Sequence, residues 1–137
     1  GDDIAIMGRD AAQLQAGIVF AGGENLRTPP GDVPYATGTL MIAPPEWADV
    51  ADAKVLESFS ARKIVPDGYT LPAYAAVEIA KAASALSPGK PLTEALSGHD
   101  FTTAIGPVRF DAKGDLSQSP YRVFRFDGTR FVPLESN

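Results

Sequence analysis

The sequence contains no cysteine and only one histidine, His99. Disulfide bonds, thiolate metal sites and a cysteine nucleophile are therefore excluded. A zinc site or a catalytic triad would need partners for His99, and its place between a helix end and a strand favours an ordinary surface residue. No apolar run approaches the roughly 18 residues of a membrane-spanning helix.

Positive charge is also scarce, with 12 Lys and Arg against 17 Asp and Glu and a net charge of −5. The basic residues are scattered and form no stripe with aromatic residues, so the sequence predicts no nucleic-acid partner. The chain has 137 residues, of which 45% are hydrophobic. This suffices for one soluble domain of ordinary size with a real core.

The first third of the chain predicts two buried strands, at 3–8 and 17–23, joined by residues of helix-forming composition. This order suggests a βαβ unit of a parallel sheet. Only about nine residues separate the two strands, fewer than the roughly 10–12 that such a crossover needs. A third strand is predicted at 38–43, where paired prolines end it.

Helices are predicted in the middle of the chain. Residues 49–63 follow helical spacing, with Asp49 as the N-cap. Residues 69–87 form the strongest helix, with Thr70 as its cap, and apolar residues around most of its circumference predict that it is largely buried. A short helix is predicted within 91–98.

The last third of the chain predicts β structure. Three β-like runs, at 104–110, 121–126 and 130–134, predict an antiparallel meander. The Asp-Gly pair at 127–128 is a typical hairpin turn between the last two runs. The whole therefore has an α/β pattern with parallel strands first, helices in the centre and antiparallel strands last.

The stretch "DAKGD" places Asp111 and Asp115 around a Lys-Gly pair and raises the question of a calcium loop. Calcium loops alternate oxygen ligands, whereas Lys113 occupies the middle position and no bidentate Glu follows at the right distance. Asp and Gly suit a tight turn between strands. The sequence therefore predicts a turn and no metal site.

The stretch "AGGEN" contains the most suggestive polar residue, Glu24. Two glycines place Glu24 at the carboxyl end of the strand at 17–23, where ligands bind in open α/β sheets. Its carboxylate could receive a ligand ammonium there, and Arg9 is expected at the same rim after the first strand. The alternative is that Glu24 and Arg9 are surface charges, paired with each other.

Catalytic motifs are missing. No dinucleotide fingerprint, P-loop or nucleophile elbow is present, and no nucleophile, base and oxyanion hole come together. A small enzyme using Glu24 and His99 remains an alternative, and it requires the two side chains within hydrogen-bond reach. The sequence predicts no catalytic residue and no cofactor.

Two longer stretches, "DGYTLPAYAAVEIAKAA" and "FTTAIGPVRFDAKGDLSQSPYRVFRFDGTRFVPLE", carry a family resemblance. Together with "IAIMGRD", "VFAGGENL" and "TGTLMIAPP", in that order, they closely resemble the C-terminal part of the branched-chain amino acid (Leu/Ile/Val) substrate-binding proteins of ABC transporters. The resemblance implies a type I periplasmic-binding-protein fold with two lobes. Residues 1–137 would be a C-terminal portion of that domain, with parts of both lobes and without its N-terminal part.

The resemblance also implies roles for three residues. Glu24 matches the acidic residue that binds the ligand α-ammonium, and Tyr69 matches an aromatic position at the cleft rim. Arg9 falls where an aromatic residue often faces the cleft, which would favour a ligand with an acidic or hydrogen-bonding group.

The resemblance further implies a periplasmic protein that closes its lobes on an amino acid or related carboxylate and delivers it to an ABC permease. A ligand-sensing domain of a receptor or regulator is the alternative, because fold does not fix function. A fragment of a two-lobed fold should expose apolar surface, foremost on helix 69–87, and bury it in an oligomer.

Overall fold

The computed structural model describes residues 1–134, which form two compact units. Unit 1 comprises Gly1–Pro44 and the described residues from Pro120 onward, and unit 2 comprises Pro45–Ser119. In chain order the elements are helix α1 (Asp2–Gln13), strand β1 (Ala21–Gly22), the 3-10 helix η1 (Glu24–Arg27), β2 (Leu40–Ala43), α2 (Trp47–Val50), α3 (Ala53–Ala61), α4 (Thr70–Leu86), α5 (Thr93–Leu96), β3 (Asp100–Thr103), β4 (Gly106–Arg109), β5 (Arg122–Phe126) and β6 (Phe131–Pro133).

Unit 1 contains a four-stranded sheet in the order β1-β2-β5-β6. β1 runs parallel to β2, whereas β5 is antiparallel to both β2 and β6. Met41 in β2 lies opposite Phe124 in β5. One side of the sheet forms a buried core, whose buried members are Ala5, Leu26, Tyr35, Met41, Ala43, Phe124 and Phe126.

The strand predicted at 3–8 is wrong, because these residues belong to α1. Asp2 and Asp3 lie in its first turn, where negative charge favours a helix, and Asp2 Oδ1 accepts a hydrogen bond from the Gly31 N–H at 2.8 Å. Ala5 and Gly8 are the buried residues of the helix. The predicted βαβ unit is therefore wrong as well, and the first residues of its short connection, up to Gln13, continue the same helix.

The strand predicted at 17–23 is much shorter than expected. Only Ala21–Gly22 pair with β2, and Ile18 and Val19 are 60% and 66% exposed. The burial predicted for this run is therefore wrong, although its end lies at a sheet edge as expected. The strand predicted at 38–43 is confirmed as β2.

The helix predicted at 49–63 is two helices, α2 and α3, in unit 2. Ala51 and Asp52 between them have extended backbone angles. Asp52 caps α3, because its Oδ1 accepts hydrogen bonds from the N–H groups of Lys54 at 2.9 Å and Val55 at 3.3 Å. The predicted cap, Asp49, lies inside α2 instead.

The helix predicted at 69–87 is confirmed as α4. Its N-cap is Tyr69, without a side-chain capping bond, so the predicted cap at Thr70 is wrong. The buried residues recur at every fourth position and are Leu71, Ala75, Ile79 and Ala83. The rest of the helix is not largely buried, and Val77 is 69% exposed. The apolar exposure expected of this helix is thus present, whereas its burial in an oligomer stays a prediction.

Unit 2 also holds the two-stranded sheet β3-β4. The sequence did not predict β3, and the predicted meander is wrong because β4 pairs with β3 rather than with β5. The hairpin is fixed locally: Thr103 Oγ1 donates to the Gly106 carbonyl at 2.6 Å, and Gly106 has a φ of +98°. Phe101 of β3 packs with Ile79 and Ala83 of α4 in the core of unit 2.

Two predicted turns and one predicted short helix are confirmed. Asp111 Oδ1 accepts hydrogen bonds from the N–H groups of Lys113 at 2.8 Å and Asp115 at 3.0 Å, so the carboxylate serves the turn backbone. The short helix predicted within 91–98 is confirmed as α5. The Asp-Gly turn joins β5 to β6, and Asp127 Oδ1 accepts from the N–H groups of Thr129 at 2.8 Å and Arg130 at 2.9 Å.

Replacing Met41 by Ala tests the core of unit 1. Met41 is 1% exposed, and we expect the free energy of unfolding to fall by about 2–5 kcal/mol because a buried cavity is left. Ile42 follows it on the opposite face of β2 and is 49% exposed, so Ile42→Ala should cost about 1 kcal/mol or less. Urea unfolding measures both, and equal losses would contradict the assigned faces of β2.

The Asp127 carboxyl group gives a pH-dependent prediction. The N–H of Arg130, and then that of Thr129, hold the pKa of Asp127 below its usual value. Because the pKa is lowered in the folded state, the ionised carboxylate stabilises the fold fully when the pH is above the unfolded-state pKa, about 3.9. This contribution is lost as the pH falls through the folded-state pKa. Carboxyl ¹³C NMR should show a titration midpoint below 3.9, and a midpoint at or above it would contradict the turn geometry.

Candidate functional site

The candidate site lies at one edge of the sheet in unit 1. β1 and β2 are parallel, so their carboxyl ends, Gly22 and Ala43, meet at the same edge. η1 begins directly beyond β1, and Glu24 is its first residue and is partly buried. Glu24 therefore lies where it was predicted, beyond the carboxyl end of a strand of an α/β sheet.

The two glycines before Glu24 serve different purposes. A Cβ at Gly22 would lie 2.9 Å from Leu26 Cδ1, so a side chain there would displace Leu26. A Cβ at Gly23 would meet no heavy atom within 4 Å, and its φ of −86° is open to any residue. Gly22 therefore allows η1 to fold back onto β1, whereas the space beside Gly23 is open.

Leu26 and Arg27 attach η1 to the sheet. Leu26 is 4% exposed and belongs to the core of unit 1. The Arg27 guanidinium donates a hydrogen bond to the Pro44 carbonyl and lies over the Phe124 ring, 5.5 Å from its centroid. The sequence prediction missed both residues, because no local pattern shows that Arg27 meets groups 17 and about one hundred positions away.

Arg9 does not lie where it was predicted. It is in α1 rather than at the end of a strand, and its guanidinium forms an ion pair with the neighbouring Asp10 at 2.7 Å. The expectation that Arg9 lies at the rim beyond a strand is therefore wrong. Its part in ligand binding stays a prediction without that structural basis.

Tyr69 and His99 belong to unit 2, whereas Glu24 belongs to unit 1. Tyr69 is at the N-cap position of α4 and is 64% exposed. His99 is exposed, as predicted, and its Nδ1 lies 3.2 Å from the Ser97 carbonyl oxygen. The ligand-binding role of Tyr69 stays a prediction.

A small pocket in unit 1 is a poor place for a charged ligand. It has a volume of about 240 Å³ and lies between α1, residues 17–20 and residues 36–39. Its lining includes Gly8, Val19 and Thr37 but no charged side chain, so it offers no charged partner for an ammonium or a carboxylate.

Metal-binding groups and membrane-spanning helices are two further features that bear on the class of site. Among residues 1–134, no three Asp, Glu or His side chains are grouped so that they could hold a metal ion. Within residues 1–134, no helix combines the length and the apolar character of a membrane span.

Curated proteins with similar sequences are binding proteins by name. The chain is 36% identical over 109 residues to an amino acid binding protein of Pseudomonas aeruginosa. This alignment covers 76% of this chain and 29% of that protein. It is 27% identical over 139 residues to the Leu/Ile/Val-binding protein BraC3 of Rhizobium johnstonii, in an alignment that covers 95% of this chain and 38% of that protein. No family model matches the chain.

A solved structure shows the same fold. The chain superposes on an extracellular ligand binding receptor from Desulfohalobium retbaense with a TM-score of 0.57 and 19% identity, over 96% of this chain and 24% of that one. The predicted fold class, part of a periplasmic-binding-protein fold, is confirmed. The predicted resemblance to the Leu/Ile/Val-binding proteins is confirmed too, and the chain spans about a quarter to two fifths of these relatives' length.

The two glycines offer a matched pair of substitutions. Gly22→Ala should destabilise unit 1 by about 1–3 kcal/mol, because Leu26 must move within a filled core. Gly23→Ala should change the free energy of unfolding by less than about 0.5 kcal/mol, because its Cβ meets open space. Urea unfolding compares the two, and a larger loss for Gly23→Ala would contradict the described path of η1.

Proposed function

We propose that this chain, which is similar to part of the Leu/Ile/Val-binding proteins, belongs to a solute-binding protein for branched-chain or related amino acids or small carboxylates. The observation that carries the proposal is the position of Glu24 beyond β1, at the edge where two parallel strands end. The names of the sequence relatives, which refer to amino acids and to Leu/Ile/Val, support this ligand class.

Glu24 would bind the ligand's ammonium group. A carboxylate accepts charge-assisted hydrogen bonds from an ammonium, and these bonds are shorter and stronger than neutral ones. The open space beside Gly23 allows a ligand to approach the backbone directly before Glu24. Partial burial of Glu24 reduces screening by water and strengthens the attraction.

The two units would be parts of the two lobes of a periplasmic ligand-binding domain. The chain passes from one unit to the other at Pro44–Pro45 and again at Ser119–Pro120, so unit 1 is built from two segments and unit 2 from one. Tyr69, exposed at the start of α4, would be a ligand contact of unit 2. A ligand contact by Arg9 stays a prediction, and Arg9 lies on α1, paired with Asp10, rather than at the end of a strand.

The whole protein would deliver its ligand to the permease of an ABC importer in the periplasm and would perform no chemistry. Closure on the ligand would be a population shift, driven by contacts that only the closed state makes. The relatives named for binding rather than for catalysis support this role.

A sensing role is the second candidate, because the structural relative is named a receptor. The two roles share the fold and differ in what the full gene encodes. A fused kinase, cyclase or DNA-binding segment would favour sensing, whereas neighbouring permease genes would favour transport.

Glu24→Gln in the full-length protein tests the proposed site. Removing the charge should weaken the tightest binder among L-leucine, L-isoleucine and L-valine by about 10- to 100-fold, because the ammonium then donates to a neutral amide oxygen instead of a carboxylate. Isothermal titration calorimetry measures the dissociation constant, with acids that lack an ammonium group, including aromatic acids, in the same panel. Glu57→Gln, an exposed glutamate on α3, is the matched control and should bind normally. Undiminished affinity in Glu24→Gln would contradict the proposal.

A further inference from the structure

Arg27 shares a face of η1 with Glu24. A 3-10 helix has about three residues per turn, so side chains at positions i and i+3 lie above one another. η1 begins at Glu24 and ends at Arg27, which places both at the carboxyl edge of β1 and β2. The orientation of this short helix therefore decides where the Glu24 carboxylate lies.

The Pro44 carbonyl explains why an arginine is present. Pro44 is buried and directly follows β2, so its carbonyl lies beyond the residues that pair with β5, Leu40–Ala43. A buried carbonyl without a donor is costly. The Arg27 guanidinium supplies that donor and thereby ties the end of η1 to the end of β2.

Phe124 gives the guanidinium a second fixed contact. The ring is 7% exposed, lies in β5 opposite Met41, and faces the guanidinium at 5.5 Å. A planar guanidinium can donate in its plane while its face covers an aromatic ring, and an ammonium cannot do both. Arg27 is thus held in two directions, by the residue that follows β2 and by a residue of β5.

We infer that Arg27 is a positioning residue for ligand binding: it fixes η1 so that Glu24 meets the ligand ammonium. The inference rests on the proposed function of Glu24. Leu26 anchors η1 in the core, and the bond to Pro44 and the contact with Phe124 add two directional restraints at the last residue of the helix.

Arg27→Lys in the full-length protein tests the inference, because lysine keeps the charge and loses the planar geometry. The probes are the tightest-binding amino acid among L-leucine, L-isoleucine and L-valine, and the same acid without its ammonium group, such as 4-methylpentanoate for leucine. We expect about a 10-fold rise in the dissociation constant of the amino acid and less than about a 2-fold change for the acid without ammonium. A general loss of structure would weaken both probes equally, and that result would overturn the inference.

A double-mutant cycle provides the second measurement. In a Glu24→Gln background, Arg27→Lys should have no further effect on amino acid affinity, since the group it positions has lost its charge. If the losses of affinity caused by Glu24→Gln and Arg27→Lys add up in the double variant, the inference is overturned. Arg27→Gln repeats the same cycle with a side chain that lacks the positive charge. Arg62→Lys is the matched control, because that guanidinium also donates to a backbone carbonyl, Ser58 at 2.9 Å, but lies in unit 2.

The same measurements distinguish the two proposals. If Glu24→Gln weakens amino acid binding and Arg27→Lys does not, the positioning role is wrong and the proposed function stands. If Glu24→Gln leaves affinity unchanged, the proposed site is wrong and the inference about Arg27 falls with it.

Discussion

The parallel pairing of β1 with β2 is the constraint on which the candidate site depends. It brings the carboxyl ends of two strands to one edge, where η1 and Pro44 follow directly. β1 contributes only two residues to this pair, so the pairing needs support from side chains. Leu26 supplies it from the core and Arg27 from the edge, and Gly22 leaves the room that Leu26 requires.

The elements that the sequence predicted correctly are those with strong local signals. Helix α4 follows from its long alanine-rich run, the β5-β6 hairpin from Asp127-Gly128, and the turn after β4 from Asp111 and its glycine. The sequence at 3–8 predicts a strand where α1 lies, because a short apolar run has no period of its own that distinguishes a helix from a strand. The acidic pair Asp2 and Asp3 is the signal that favours the helix.

The predicted meander is wrong because of its pairing partners. The run at 104–110 contains strand β4, but the turn between Thr103 and Gly106 places β4 beside β3, and β4 pairs with β3 instead of β5. β5 pairs with β2, about eighty residues earlier in the chain. Such long-range pairing depends on tertiary contacts that local propensity does not describe.

The candidate site divides in the same way. Glu24 could be predicted, because two glycines after an apolar run mark a strand end, whereas Arg27 acts through contacts with Pro44 and Phe124 that are distant in sequence.

The most direct test is a crystal structure of the full-length protein with its tightest-binding amino acid. We expect a Glu24 carboxylate oxygen about 3 Å from the ligand ammonium nitrogen. An ammonium group held by other residues, with Glu24 outside hydrogen-bond distance, would contradict the account.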